Sequence, residues 1–148
     1  MDFNTIDPKA LAELLAGNHP IGNAEDHLYI YAIIPTSLEM PVGKTCPQAG
    51  HAYVDSYCAA KETHPELAAQ YRDLGKGGSK VALKAKNHRE LIVAWGKALE
   101  AGLPCALVVD KTHILPPHFD GTPIITALGI GPCTKAEARH IVKKFQCL

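Results

Sequence analysis

Three polar residues with helical spacing could stabilise negative charge during a reaction. Lys44, Gln48 and His51 are four and three residues apart, which places them along one side of a helix. They follow an apolar run, residues 28–34, that is typical of a strand buried on both faces. A helix that begins after a strand presents a positive dipole end, which favours a developing negative charge. A polar stripe is also the usual pattern of a solvated helix face, so spacing alone leaves both interpretations open.

The helix that carries this stripe is predicted over residues 46–63. Thr45 and Gln48 have the spacing of a capping box, in which each side chain accepts a backbone amide of the other residue. Lys44 would then lie beside free backbone N–H groups, where open α/β sheets tend to bind ligands. One face of this helix, made mostly of small residues, could lie flat on a sheet: Ala49, Ala52, Tyr53, Ser56 and Ala60.

A carboxylate at the end of a later strand is the second candidate for chemistry. Asp110 closes the apolar run 104–109 and is followed by a loop rich in Pro and His. A carboxylate at the C-terminal end of a strand is well placed to line a cleft. An Asp at a strand end is also ordinary turn chemistry, so both interpretations stay open.

Cys46, His51 and Asp110 offer a different chemistry, in which they act as nucleophile, base and orienting acid. A helix N-terminus favours the thiolate form of a cysteine, which is the nucleophilic form. Cys46 and His51 are five residues apart, however, so their side chains project in different directions. A small thiol in a first helical turn is the plainer interpretation. His113 and His118 are five residues apart on a Pro-rich loop without further ligands, and we predict no metal site and no cofactor.

Composition and charge predict one folded domain in the cytoplasm. Of the 148 residues, 47% are hydrophobic, yet no apolar run reaches the length of about 18 residues that a membrane span requires. The N-terminal residues lack the pattern of a secretory signal, and five widely spaced cysteines fit reduced thiols. Residues 1–27 hold five acids and one base, whereas residues 28–148 hold fourteen bases and ten acids. A mildly basic domain suits a phosphate-rich partner, but this signal is weak.

Alternating strand and helix patterns position these candidates in an α/β fold. Four strands are predicted, over residues 28–34, 80–86, 104–110 and 123–130. Helices are predicted at residues 5–16, 46–63 and 65–74, and after Asn87 and Thr134, each of which precedes a Glu by three residues. We predict a three-layer α/β/α sandwich with a four-stranded mixed sheet over residues 28–148, and a helical appendage and linker over residues 1–27.

Five segments are similar, in the same order, to those of a known family. They are the first strand, Leu38-x-Met40-x-x-Gly43-Lys44-x-x-x-Gln48-x-x-His51-Ala52, Lys80-Val81-x-Leu83-Lys84-Ala85, Asp110 with Thr112-x-Ile114-x-Pro116, and Leu128-Gly129-Ile130-Gly131-Pro132. On these segments, residues 28–148 resemble the type II peptidyl-tRNA hydrolases of archaea and eukaryotes.

The resemblance implies hydrolysis of the ester between a peptide and the 3′ ribose of tRNA, without a metal, by a homodimer. It implies catalytic roles for Lys44, Asp110 and Thr112. Lys44 and the helix N-terminus would stabilise charge on the carbonyl oxygen, Asp110 would hold or deprotonate a water, and Thr112 would orient the water or the ester. Further contacts with peptidyl-tRNA, including its phosphates, are expected at six residues: Thr45, Gln48, His51, Lys84, Lys135 and Arg139.

Three features depart from the family pattern at the rim of this site. Residues 46–47 are Cys-Pro where the family has small residues, and Lys111 alone separates Asp110 from Thr112 where the family carries Gly-Arg before the Thr. The loop after Pro116 is also longer, by residues 117–121. These departures leave open a relative with another substrate, or a non-catalytic relative that acts as an RNA- or protein-binding module.

Overall fold

The helices and strands that the sequence predicts all form in the computed structural model, which describes residues 2–16, 25–72 and 78–148. The helices are α1 (Pro8–Ala16), α2 (Val42–Thr63), α3 (Pro65–Arg72), α4 (His88–Glu100) and α5 (Lys135–Val142). The strands are β1 (Leu28–Pro35), β2 (Ser79–Ala85), β3 (Cys105–Asp110), β4 (Ile114–Leu115), β5 (Phe119–Asp120), β6 (Ile124–Thr134) and β7 (Gln146–Cys147). The predicted end of the third helix at residue 74 and most of the linker lie outside the described residues.

The main sheet is mixed, in the order β3-β6-β1-β2-β7 across the described chain. β1 runs parallel to β2, with Tyr29 beside Ser79 and Pro35 beside Ala85. β6 runs antiparallel to both β1 and β3, so β3 points in the same direction as β1. The prediction of an α/β fold with a mixed sheet is confirmed. The sheet has five strands rather than the predicted four. The additional strand is β7, whose two residues are too few to show strand periodicity in the sequence.

Alternate residues of β1 belong to different apolar clusters. Tyr31 and Ile33 pack with residues from α4 and α5, whereas Ala32 and Ile34 pack with Ala52 and its neighbours on α2. Burial in both directions explains why β1 is a continuous apolar run. The layered sandwich stays a prediction, which these two clusters favour.

Small residues let α2 lie very close to β6. A Cβ atom at Gly129 would come within 2.2 Å of the Ala52 carbonyl oxygen. The buried Ser56 hydroxyl donates a hydrogen bond to the Gly131 carbonyl at 2.5 Å. Ala49, Ala52, Ser56 and Ala60 are all buried, as the small-residue face predicted, whereas Tyr53 is half-buried. This close contact fixes the height of α2 above the sheet.

The start of α2 differs from the sequence prediction. The helix begins at Val42 after Pro41, and no side chain caps it, so the predicted capping box of Thr45 and Gln48 is wrong. The Thr45 hydroxyl instead donates to the Met40 carbonyl at 3.2 Å. The Lys44 and Thr45 amides both donate to the Pro41 carbonyl at 2.9 Å and are therefore not free. Lys44 thus lies inside the first turn rather than before it.

The N-terminal helix is shorter than predicted. A 3-10 turn covers Phe3–Thr5, and α1 begins at Pro8, a residue well suited to a first helical position because its missing N–H would have no partner there. Its leucine side chains at positions 14 and 15 are exposed. None of the helices in the described part of the chain is long and apolar enough to cross a membrane.

Candidate active site

The side chains of Lys44 and Asp110 meet in an ion pair, in which the Lys44 Nζ donates a hydrogen bond to the Asp110 Oδ2. Only 11% of the Lys44 side chain and 16% of the Asp110 side chain are exposed. Because water is mostly excluded, each charge acts more strongly on its surroundings than it would on an open surface. The pair can therefore offer a fixed positive donor and a carboxylate side by side.

The topology of the sheet explains why these two residues meet. β1 and β3 point in the same direction, so their C-terminal ends lie at the same end of the sheet. Asp110 is the last residue of β3, and Lys44 is in the first turn of the helix that follows β1. Neither residue could be paired from local spacing, because 66 positions separate them. The end of the sheet at which parallel strands have their C-termini is the usual place for ligands in open α/β sheets.

An aromatic side chain that the sequence analysis missed covers the pair. The Phe119 ring centroid lies 4.5 Å from the Lys44 Nζ, and Phe119 is only 3% exposed. The His113 ring lies nearly at a right angle to the Phe119 ring, with 5.9 Å between the centroids. Phe119 belongs to the β4–β5 hairpin, which forms within the loop between β3 and β6. The feature of the sequence that could have indicated Phe119 is a single aromatic residue in the loop that follows Pro116.

Gln48 lies one turn after Lys44 and faces inward. It is 7% exposed, and its Oε1 accepts a hydrogen bond from the buried Thr126 hydroxyl on β6 at 2.5 Å. This bond holds the first turns of α2 against the sheet next to the ion pair. Thr126 was not a candidate from the sequence, because a Thr within a strand is common.

In the described part of the chain, no hydrogen bond or ion pair joins the other predicted residues of the first motif and the Asp loop to Lys44 or Asp110. Thr112 has a positive φ of 64°, and its N–H donates to the Gly121 carbonyl at 3.1 Å. His51 is exposed, seven residues along α2 from Lys44, which is about 10 Å along the helix axis. The Thr45 side chain is partly exposed beside Met40.

The predicted cationic contacts lie at two different ends of the sheet. Lys84 lies near the C-terminal end of β2, at the same end of the sheet as the ion pair. It lines a groove of about 580 Å³ with Lys86 and Lys144. Lys135 and Arg139 belong to α5, which follows the C-terminal end of β6. That end of β6 lies beside Leu28 at the start of β1, and therefore at the opposite end of the sheet. The length of β1, roughly 20 Å, separates Lys135 and Arg139 from the pair.

The α5 cations line a second groove of about 680 Å³ together with Tyr31 and Lys143. The Lys135 Nζ lies 5.0 Å from the centroid of the Tyr29 ring. At this distance from Asp110, the groove can contact a remote part of a large substrate but not its ester.

The thiol arrangement is not formed. Within residues 25–72 and 78–148, no hydrogen bond joins Cys46 to His51 or Asp110, and Asp110 is paired with Lys44 instead. Cys46 is exposed, whereas burial raises the pKa of the Cys105 thiol, and burial together with the Glu137 carboxylate raises the pKa of the Cys133 thiol to about 12.

The side chains that could bind a metal ion bear on the prediction that the chain has no metal site. Among the described residues, no three His, Cys, Asp or Glu side chains are placed to hold a metal ion. The His118 Nε2 lies 3.6 Å from the Glu39 Oε2, and His113 contacts Phe119, so these two histidines face different partners.

Comparisons with known proteins match the domain that contains this site. Residues 28–148 match the family described as Peptidyl-tRNA hydrolase PTH2. The chain is 37% identical over 101 residues to the peptidyl-tRNA hydrolase of Methanocaldococcus jannaschii, a match covering 68% of this chain and 82% of that protein. It is 35% identical over 107 residues to the peptidyl-tRNA hydrolase of Sulfolobus acidocaldarius, again covering 68% and 82%. A probable peptidyl-tRNA hydrolase 2 of Dictyostelium discoideum is 30% identical over 114 residues, covering 77% of this chain and 51% of that protein.

Proposed function

Because the chain belongs to the Peptidyl-tRNA hydrolase PTH2 family, we propose that it hydrolyses peptidyl-tRNA with Lys44 and Asp110 as its catalytic pair. Family membership confirms the resemblance seen in the sequence and supports the reaction, cleavage of the ester that joins a peptide to tRNA. The observation that carries the residue assignment is the enclosed contact between the Lys44 Nζ and the Asp110 Oδ2.

The proposed reaction begins with attack of a water oxygen on the ester carbonyl carbon. Asp110 accepts a proton from this water through Oδ1, while its Oδ2 stays bonded to Lys44. The bond from the carbonyl carbon to the ribose 3′ oxygen then breaks. That oxygen takes the proton back from Asp110, which becomes a carboxylate again. The products are tRNA with a free 3′ hydroxyl and the peptide acid, which releases its own proton to solvent and leaves as a carboxylate. This proposal uses no metal and no cofactor.

Lys44 stabilises the negative charge that forms on the carbonyl oxygen. An ammonium group has three N–H donors, and one of them is used by Asp110, so the others can reach the substrate. The position of Lys44 in the first turn of α2 adds the field of the helix N-terminus. In this proposal Thr112 orients the water or the ester, and the bond between Gln48 and Thr126 keeps α2 in place.

Basic residues supply most of the affinity for the tRNA part of the substrate. Lys84 contacts phosphates near the ester, while Lys135 and Arg139 contact a more distant part of the same molecule. In this proposal Thr45 and His51, which are partly exposed and exposed respectively, make further contacts with the substrate. The proposal includes a homodimer, which is carried over from the family resemblance. It also includes a location in the cytoplasm, which rests on the widely spaced cysteines expected to be reduced thiols.

The assignment is tested by measuring release of peptide from a peptidyl-tRNA, with tRNA binding measured in parallel. Lys44→Met and Asp110→Asn should each lower kcat about 100-fold or more, because each removes a group that acts on the transition state. Lys61→Met, an exposed lysine on the same helix, is the control and should keep wild-type turnover. A wild-type rate in either site variant would end the assignment.

The non-catalytic alternative is not favoured, since the relatives from Methanocaldococcus jannaschii and Sulfolobus acidocaldarius are named as hydrolases. It predicts a different result in the same assay, namely tRNA binding by the wild-type protein without any release of peptide.

A further inference from the structure

The β4–β5 hairpin brings an aromatic ring onto the catalytic lysine. Building on the proposed function, we propose that Phe119 is a positioning residue that holds the Lys44 ammonium in its working orientation beside Asp110. Phe119 itself touches neither substrate nor water in this account, and it acts through Lys44. It lies within residues 117–121, the part of the loop that the family resemblance interprets as additional.

The contact has the geometry of a cation–π interaction. The Lys44 Nζ lies 4.5 Å from the Phe119 ring centroid, well inside the distance at which a ring face attracts an ammonium. A lysine has a flexible four-carbon stem, so its charged end has many positions available unless neighbours restrict it. The carboxylate of Asp110 restrains that end from one direction, and the ring restrains it from another.

The burial of Phe119 is not explained by the core of the sheet. Although it is 3% exposed, Phe119 is not a member of any of the three apolar clusters found among the described residues. Its ring lies instead against the Lys44 ammonium and, nearly at a right angle, against the His113 ring. The side chain is therefore buried at the ion pair rather than in the main core.

The hairpin that carries Phe119 is anchored at its base. Phe119 pairs with Leu115, and the Thr112 N–H donates to the Gly121 carbonyl at 3.1 Å. Gly121 has a φ of 92°, a conformation that favours glycine. The Thr122 hydroxyl and amide donate to Asp120 at 2.6 and 3.0 Å, which also lowers the pKa of that carboxyl.

A second contact ties the hairpin to the segment in front of α2. The His118 Nε2 lies 3.6 Å from the Glu39 Oε2, and Glu39 directly follows the 3-10 turn Thr36–Leu38. The hairpin thus contacts Lys44 on α2 through Phe119 and the segment before α2 through His118, which suits a part that holds Lys44 in place.

The test compares Phe119→Leu with Phe119→Tyr in steady-state cleavage of peptidyl-tRNA. Leucine keeps an apolar side chain but removes the ring face, so kcat should fall about 3- to 30-fold while KM stays within about twofold. Tyrosine restores the ring, so kcat should return to within about twofold of wild type. Phe119→Met makes the same comparison as leucine should Phe119→Leu fail to fold.

The matched control is Phe145→Leu. Phe145 is also buried, and the Lys144 Nζ lies 5.1 Å from its ring centroid, but it belongs to the core cluster of α4 and α5. This variant should lose stability and keep kcat.

Two results would overturn the role of Phe119: a wild-type kcat in Phe119→Leu, or equal losses in the leucine and tyrosine variants. Lys44→Met in the same assay separates this outcome from failure of the proposed function. If Lys44→Met keeps full turnover, the catalytic role of Lys44 fails, and the role of Phe119 fails with it.

Discussion

At the residue scale, the Lys44–Asp110 pair is better explained by chemistry than by stability. Removing two charges from water costs about as much as their attraction returns, so an enclosed ion pair is weak support for a fold. Its members were predictable, because each stands at the end of a recognisable strand or the start of a helix. Phe119, which contacts Lys44, and Thr126, which donates to Gln48, were not predictable. Thr126 and Gln48 are 78 positions apart, and no local pattern links such distant residues.

The cysteines give a residue-scale prediction about the rejected thiol chemistry. Iodoacetamide at about pH 8 should modify the exposed Cys46, Cys58 and Cys147 and leave Cys133 intact, because only the thiolate reacts and burial raises the pKa of the Cys133 thiol to about 12. Cleavage of peptidyl-tRNA should continue at the wild-type rate after modification. Mass spectrometry of peptides checks the sites.

The same reaction in denaturant provides the control, since all five thiols should then be modified. Loss of activity in step with Cys46 modification, prevented by bound substrate, would contradict the lysine–aspartate account.

At the element scale, one sequence pattern gave both correct and incorrect predictions. Asn87 and Thr134 cap α4 and α5 through the amide of the Glu three residues later, as their spacing predicted. Thr45 has a Gln at the same distance, yet α2 begins three residues earlier and Gln48 bonds to β6 instead. Local spacing therefore identifies a cap only where no distant residue competes for the same side chain.

The contact between α2 and β6 gives a prediction for this element. Gly129→Ala places a Cβ 2.2 Å from the Ala52 carbonyl oxygen, so the helix must move. We expect the free energy of unfolding in urea to fall by about 2 to 4 kcal/mol. Turnover should fall as well, because α2 carries Lys44 to Asp110.

Gly96→Ala is the matched control for that change. A Cβ at Gly96 meets no atom within 4 Å, and alanine favours a helix interior by about 0.5 to 1 kcal/mol, so α4 should gain stability. Equal stability of Gly129→Ala and wild type would show that α2 does not approach the sheet as closely as described.

At the scale of the whole molecule, the distribution of charge bears on the proposed contacts with tRNA. The net charge of the chain is zero, but an acidic stretch over residues 1–27 offsets the net positive charge of residues 28–148. The sequence alone shows this asymmetry but not where the basic residues lie in the fold. Lys84 and Lys135 lie at opposite ends of the sheet because of pairing between strands that are distant in the chain. The domain assignment of residues 1–27 stays a prediction.

Salt dependence tests this arrangement. Raising the salt concentration should raise KM for peptidyl-tRNA steeply, and the double variant Lys135→Gln/Arg139→Gln should reduce the slope by about one for each phosphate that the protein no longer neutralises. Its kcat should stay unchanged, since these residues lie about 20 Å from the pair. Lys61→Gln is the exposed control, and an unchanged slope in the double variant would place the tRNA elsewhere.

The central claim is that Lys44 and Asp110 work as one unit on the ester of peptidyl-tRNA. Single-turnover cleavage by wild type, Lys44→Met, Asp110→Asn and the double variant tests it most directly. Each single variant should lose about 100-fold or more, and the double variant should be no slower than the slower single one, because removing either member of a unit already disables the other. Losses that multiply in the double variant, or a single variant at the wild-type rate, would contradict the account.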